Sequence, residues 1–178
     1  RATRLRLFYE TYAQKVYSPH LVVYDGGDEH IFLTLRELFK YSEVLSFKRT
    51  IDINRNQERK RFGDFLLASL QRNSIDYTFC FGSQILSRSV VDAYPKRIIN
   101  FHPSLLPKYP GLNSIDKALS SSEKILGNTA HFIDNGVDTG EIILQSWLPI
   151  EDFVNYDSVL NLQIDMLKEL WLNFENYG

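Results

Sequence analysis

Two polar side chains stand two positions apart at the end of a predicted buried strand. Asn100 and His102 belong to or follow the apolar run Ile98–Phe101, and alternate residues of a strand project from the same face. Prolines follow at positions 103, 107 and 110. Because proline fixes φ and favours an extended residue before it, we expect a stiff loop that holds these side chains beside a cleft.

Asn100, His102 and a third residue, Asp138, can together stabilise negative charge and move protons. A side-chain amide can donate a hydrogen bond to a developing oxyanion. An imidazole titrates close enough to neutrality to accept or return a proton. If Asp138 lies near His102, its charge should raise the pKa of the histidine and orient the ring.

Other polar residues nearby have simpler interpretations. His131, within a predicted strand, is interpreted as structural. Ser104 is interpreted as a turn or capping hydroxyl, because no Gly-x-Ser-x-Gly turn surrounds it. His102, His131 and Asp138 could form a metal site of two imidazoles and one carboxylate, but no short ligand spacing supports one. We therefore predict no metal.

Two longer motifs contain these residues: Ile99–Gly111 (INFHPSLLPKYPG) and Val137–Gln145 (VDTGEIILQ). In order and spacing they resemble the folate-dependent formyltransferase family, most closely the glycinamide ribonucleotide transformylases. The resemblance implies that Asn100, His102 and Asp138 are the catalytic residues. Formyl transfer to an amine needs a hydrogen-bond donor to the developing oxyanion and a proton carrier. It needs no nucleophilic serine or cysteine.

The resemblance also implies a formyl donor, N10-formyltetrahydrofolate, and no metal. Its pterin ring would be held in two places. The residues are Gln84, Ile85 and Leu86 in the first place and Asp134, Gly136 and Val137 in the second.

The chain departs from the family on the side of the amine substrate. The family usually has arginine where this chain has Gln84, and a Glu-His pair in the last helix where this chain reads Gln163-Ile164-Asp165. A glycine- and serine-rich phosphate loop normally follows the first strand. Asp25-Gly26-Gly27-Asp28 is a poor replacement, since its carboxylates would repel a phosphate.

These departures leave several functions open. The main hypothesis is formyl transfer to glycinamide ribonucleotide in purine biosynthesis. The alternative is N-formylation of a nucleotide-linked amino-sugar, and in both the amine is a small phosphorylated or nucleotide-linked molecule. Further alternatives are a formyltetrahydrofolate hydrolase and a catalytically silent folate- or nucleotide-binding module. Loss of Asn100, His102 or Asp138 would favour the silent module, but all three residues are present.

Helix and strand patterns alternate along the chain, which predicts the α/β class: a mostly parallel sheet with helices on both faces. The resemblance makes this a Rossmann-like, three-layer formyltransferase fold. Residues 1–178 are expected to form a single catalytic domain that lacks its first strand and phosphate loop. Ligands of such sheets bind beyond the carboxyl ends of strands, where Asn100 and His102 lie.

Four elements bear on the site and on the chain ends. An amphipathic helix is predicted from Leu5 to Val16. Strands Thr129–Ile133 and Glu141–Gln145 should flank the loop that holds Asp138. The last helix should be capped by Asp157, with an inward face made of Leu160, Ile164, Leu167 and Trp171.

Composition narrows the class of partner and the compartment. The 178 residues carry a formal net charge of −2, which gives no reason to expect a nucleic acid partner. No apolar run is long enough to span a membrane, and no secretory signal is present. The single cysteine excludes an internal disulfide, so we expect a cytoplasmic protein. The sequence leaves the oligomeric state unknown.

Overall fold

The computed structural model describes residues 3–12, 18–82, 84–150 and 156–173, and it divides into two compact units. The first unit runs from Arg1 to Tyr94 and the second from Pro95 to Gly178. Each unit contains both helices and strands, so the α/β class is confirmed. Within the described part of the chain, no helix is both long enough and apolar enough to cross a membrane.

The first unit contains four helices and three strands among its described residues. In chain order they are α1 (Thr3–Tyr12), β1 (Leu21–Tyr24), α2 (Glu29–Leu38), β2 (Glu43–Ser46), α3 (Arg55–Arg72), β3 (Thr78–Cys80) and α4 (Arg88–Ala93). Strands β1 and β2 pair in parallel, from Leu21 opposite Glu43 to Tyr24 opposite Ser46. Val16, the predicted end of the first helix, lies outside the described residues.

Helices begin in this unit where polar side chains can bond to free backbone N–H groups. Asp28, the last residue of the acidic turn after β1, accepts a hydrogen bond from the Ile31 amide at 3.1 Å and so caps α2. Asn54 and Gln57 form a reciprocal capping box at the start of α3. The core between β1 and α2 is made of Val22, Tyr24, Leu35 and Phe39.

The second unit contains three strands and two helices among its described residues. They are β4 (Ile98–His102), α5 (Ser114–Leu119), β5 (Ile125–Phe132), β6 (Ile142–Pro149) and α6 (Tyr156–Asn173). Strand β5 pairs antiparallel with both β4 and β6. Helices α5 and α6 pack on β5, and α6 also contacts β6.

The antiparallel pairing of this unit was not part of the sequence prediction, which described a mostly parallel sheet. Its cause between β5 and β6 is the short connection from Ile133 to Glu141, which contains no helix in the structure. A parallel pair needs a crossover connection of a dozen or more residues, whereas a short loop makes a hairpin. The loop that carries Asp138 is thus the turn of a β-hairpin.

The last helix corrects two predictions. Asp157 lies in the first turn of α6, which begins at Tyr156, so it is not the residue before the helix. The buried face is also wider and rotated from the predicted one. It consists of Val159, Gln163, Ile164, Met166, Leu167 and Leu170.

Candidate active site

Strand β4 positions the two polar residues that the sequence places at its end. Ile98, Ile99 and Phe101 are buried, and they fix the strand within its unit. Across the antiparallel ladder, Asn100 lies opposite His131 and His102 opposite Thr129. Because both functional residues occupy alternate positions, their side chains emerge on one face.

The hairpin loop between β5 and β6 delivers Asp138. The Asp134 carboxylate accepts a hydrogen bond from the Gly136 amide at 3.0 Å and another from the Thr139 hydroxyl at 2.8 Å, which closes the loop on itself. Asp138 adopts a left-handed backbone conformation with φ of 53°. Gly140 is required where the loop returns, since a Cβ there would lie 1.8 Å from the Phe132 carbonyl oxygen.

His102 and Asp138 form the centre of the site. The His102 Nδ1 atom lies 3.2 Å from Asp138 Oδ2, and its Nε2 atom lies 2.9 Å from the Tyr109 carbonyl oxygen. The Gly111 amide donates a 2.7 Å hydrogen bond to the same carboxylate oxygen. Both ring nitrogens therefore face acceptors, so only the doubly protonated ring can donate to both.

Asn100, two positions before His102 on β4, completes the group. Its Nδ2 atom lies 3.3 Å from His131 Nε2 and 3.5 Å from Asp138 Oδ1. The structure thus brings Asn100, His102 and Asp138 together, as their motifs indicate. Their catalytic roles stay predictions.

The direction of the His102 pKa corrects a sequence-based expectation. His102 is only 5% exposed, and burial is the largest influence on it. The Tyr109 carbonyl and the charge of Asp138 act in the opposite direction but are outweighed, so the pKa of His102 is lowered from its ordinary value. The charge of Asp138 alone predicts a raised pKa of His102. The prediction is wrong because sequence motifs give no measure of desolvation.

Asp138 is held in its ionised form. The neighbouring His131 ring makes the largest contribution to lowering its pKa to about 2; burial opposes this, and the Gly111 N–H and the charge of His102 assist it. At neutral pH the centre thus combines a carboxylate with a histidine that tends to be uncharged. Such a ring can take up a proton and then donate to both of its acceptors.

A hydrogen-bonded support beneath the motif loop was not predicted. The buried Thr129 hydroxyl donates to the Ser104 carbonyl at 2.7 Å and accepts from the Leu106 amide at 3.0 Å and from Gln145 Nε2 at 2.9 Å. The Ser104 hydroxyl donates to the Lys108 carbonyl at 2.6 Å, as expected of a turn residue. The Thr129 contacts join residues distant in sequence, so no local pattern could have revealed them.

The residues predicted to hold the formyl donor are divided between the two units. In the first unit, Gln84 Nε2 donates a 2.6 Å hydrogen bond to Asp25 Oδ2, Ile85 is exposed and Leu86 is buried. In the second unit, Gly136 is exposed and Val137 is 51% exposed. The Asp134 carboxylate is occupied within its own loop, so it has a structural role there.

The same surroundings bear on metal binding. Among residues 3–12, 18–82, 84–150 and 156–173, no three His, Cys, Asp or Glu side chains are grouped so that they could hold a metal ion. The two histidines at Asp138 instead direct one nitrogen each towards a backbone carbonyl.

Comparison with known proteins shows the family of this chain. The profile of the formyl transferase family matches residues 39–163, which is more than half of the 178 residues. The chain therefore belongs to the formyl transferase family. The Rossmann-like fold predicted from the resemblance is confirmed by solved structures of that family.

Individual relatives match parts of the chain. A phosphoribosylglycinamide formyltransferase of Bacillus subtilis is 28% identical over 116 residues, which are 65% of this chain and 59% of the relative. A trifunctional purine biosynthetic protein of Drosophila melanogaster is 52% identical over 67 residues, 38% of this chain and 5% of the relative. The matches thus span less than two thirds of these relatives.

Among solved structures, a glycinamide ribonucleotide transformylase of Symbiobacterium toebii is similar over 98% of this chain and 83% of its own. Its sequence identity is 25% and its TM-score is 0.80.

Proposed function

We propose that this protein transfers a formyl group from N10-formyltetrahydrofolate to a primary amine. The observation that carries the proposal is the grouping of Asn100, His102 and Asp138 in a chain of the formyl transferase family. An amide and an imidazole that each contact one ionised carboxylate are the groups that such a transfer requires.

Formyl transfer to an amine passes through a tetrahedral intermediate that carries negative charge on oxygen. The Asn100 amide is the proposed donor to that oxygen, a contribution worth about 2.7–4 kcal/mol where single donors have been removed in other enzymes. His102 is the proposed proton carrier. Because burial lowers its pKa, the uncharged ring is available to accept the proton that the attacking amine loses.

Asp138 is proposed to stabilise the imidazolium that forms. Once protonated, the His102 ring can donate to Asp138 Oδ2 and to the Tyr109 carbonyl together. These two acceptors, 3.2 Å and 2.9 Å away, stabilise the imidazolium. The same proton can then return to the nitrogen that leaves the formyl carbon. Asp138 stays ionised while His102 gains and returns the proton.

The surface beside Asp138 fits a flat, partly apolar donor. Val137 is half exposed and lies next to Asp138 in the chain, and Gly136 leaves the backbone of the loop accessible. We propose that this loop holds the pterin ring of the donor. When bound, the donor supplies the formyl carbon.

For the amine, glycinamide ribonucleotide is our first proposal, since the relatives named above carry that activity in their names. A nucleotide-linked amino-sugar is the second. It is favoured by two observations on the amine side. Gln84, where the family usually has arginine, is bonded to Asp25, and the last helix reads Gln163-Ile164-Asp165 in the region of the Glu-His pair. Missing polar contacts redirect specificity on a constant scaffold.

The test incubates the purified protein and N10-formyltetrahydrofolate with a panel of amines and follows loss of the donor. Turnover with glycinamide ribonucleotide and not with amino-sugar nucleotides would support the first proposal, and the reverse would support the second. Donor loss without any amine would identify a hydrolase. If no donor is lost under any condition while folate still binds, the protein is a silent binding module and formyl transfer is refuted.

A further inference from the structure

His131 is a buried histidine that the proposed reaction does not use. It lies on β5 directly opposite Asn100 and is 2% exposed. Its ring touches two members of the site, because Nε2 lies 3.3 Å from Asn100 Nδ2 and 3.5 Å from Asp138 Oδ1. A fully buried ring in this position needs a reason beyond filling space, since buried polar atoms are normally paired.

The position of the ring proton follows from the contact on the far side. His131 Nδ1 lies 2.9 Å from the carbonyl oxygen of Phe132, which can only accept a hydrogen bond. Nδ1 must therefore carry the hydrogen. In a ring with one proton, Nε2 is then an acceptor, and the Asn100 amide donates to it. Donation from Nε2 to Asp138, which lowers the pKa of that carboxyl, spans 3.5 Å. Because Nδ1 keeps its hydrogen for Phe132, this donation requires a doubly protonated ring.

This assignment determines which way the Asn100 amide points. An amide can be turned so that either its nitrogen or its oxygen lies in a given place. Here that place faces two acceptors, His131 Nε2 and Asp138 Oδ1. Only the nitrogen is favourable beside both, since the amide oxygen would be repelled by each.

We infer that His131 is a positioning residue: with its proton on Nδ1, it holds the Asn100 amide with the nitrogen directed towards the His102–Asp138 centre. His131 takes one amide hydrogen. The second amide hydrogen points towards Asp138 Oδ1 across 3.5 Å, which is too long for a strong hydrogen bond. This N–H can therefore donate a hydrogen bond to an oxyanion instead. The inference rests on the proposed function in one respect: the oxyanion to which the amide donates forms in that reaction.

Two substitutions separate the contacts of the ring. In His131→Asn, the side-chain amide nitrogen can still donate to the Phe132 carbonyl, but no group replaces Nε2. In His131→Gln, the longer side chain can place its oxygen where Nε2 lies and accept from Asn100. We expect His131→Asn to lower kcat about 10- to 100-fold with little change in KM for the donor. His131→Gln should stay within about threefold of the wild type, because the amide remains oriented.

A double-mutant cycle tests whether the effect acts through Asn100. If it does, His131→Asn should have no further effect on kcat in the Asn100→Ala background. Full additivity of the two substitutions, or equal losses in His131→Asn and His131→Gln, would overturn the inference. His30→Asn, on the exposed surface of α2, serves as the control for replacing a histidine by asparagine.

Nitrogen NMR of the wild-type protein gives a readout that needs no activity. At about pH 8, where an ordinary imidazole carries one proton, we expect the His131 Nδ1 signal to be of the protonated type and Nε2 of the unprotonated type. The opposite pattern would refute the positioning role. A protein that fails to transfer formyl groups but has the expected pattern would refute the proposed function and leave the tautomer assignment intact.

Discussion

Asn100 is the residue whose replacement separates catalysis from folding most clearly. Its side chain is half-buried, and its two hydrogen-bond contacts are long, at 3.3 Å and 3.5 Å. Asn100→Ala should lower kcat by about 10²–10³-fold, the usual loss for one oxyanion donor, and shift Tm by only a few degrees. Steady-state kinetics and thermal unfolding check both. Asn56→Ala, on the exposed surface of α3, is the matched control, and near-normal turnover in Asn100→Ala would contradict the assignment.

His102 should set the acid limb of the rate profile. Because burial lowers its pKa, kcat should rise with pH through a value below about 6.5 as the ring becomes the uncharged acceptor. Asp138→Asn removes one of the influences that raise this pKa. The limb should therefore move to lower pH while the maximal rate falls. Profiles of both proteins between about pH 5 and pH 9 decide it, and an unmoved limb would mean that the two residues are not coupled.

The same two residues make the folded protein sensitive to acid. Both pKa values are lower in the folded state than in the unfolded chain, so the unfolded chain binds protons first and stability falls with falling pH. For His102 the loss begins as pH drops below about 6.5. For Asp138, with a folded pKa of about 2, it falls between about pH 4 and pH 2.

Asp138→Asn isolates the second contribution. The free energy of unfolding of the wild type should exceed that of Asp138→Asn by about 1–2 kcal/mol at neutral pH, and the difference should vanish towards pH 2, as urea denaturation at several pH values would measure. Asp64→Asn, which breaks an exposed ion pair with Lys60, should change stability little at any pH. A difference that is constant with pH would contradict the account.

At the scale of elements, the hairpin of β5 and β6 depends on glycine at its closing position. In Gly140→Ala the added Cβ would meet the Phe132 backbone oxygen at 1.8 Å, so the backbone itself must move. We expect a loss of at least about 2 kcal/mol in the free energy of unfolding. Gly27→Ala, where the added Cβ meets nothing within 4 Å, should be near neutral. Equal stability of the two variants in denaturant would mean that the hairpin does not have this geometry.

What the sequence could predict at this scale was the order of elements and the motif residues on them. Asn100 and His102 were placed from the period of a strand, and Asp138 from its motif. The contact between His131 and Asn100 was not predicted, because it lies across the ladder and strand register is not a local property of the chain. The face of α6 was misjudged for a similar reason. Apolar residues surround most of that helix, so packing on β5 and β6 decides which are buried.

The proposed catalytic group and the segment Gln84–Leu86 belong to different units of the molecule. The catalytic group lies within the unit Pro95–Gly178, on β4 and the hairpin loop. The segment Gln84–Leu86 belongs to the unit Arg1–Tyr94, where Gln84 is bonded to Asp25. Substitutions at Gln84 or Asp25 can therefore be made without changing the residues that position the proposed catalytic group.

The fate of the formyl carbon distinguishes formyl transfer from hydrolysis and from binding without turnover. The purified protein is mixed with N10-formyltetrahydrofolate that carries an isotopic label in the formyl group, together with glycinamide ribonucleotide, and the products are analysed by mass spectrometry. We predict label on the amine nitrogen of the product, formed at a rate that Asn100→Ala lowers about 10²–10³-fold. Label released only as free formate, or left on the donor with this amine and with amino-sugar nucleotides, would contradict formyl transfer as the function.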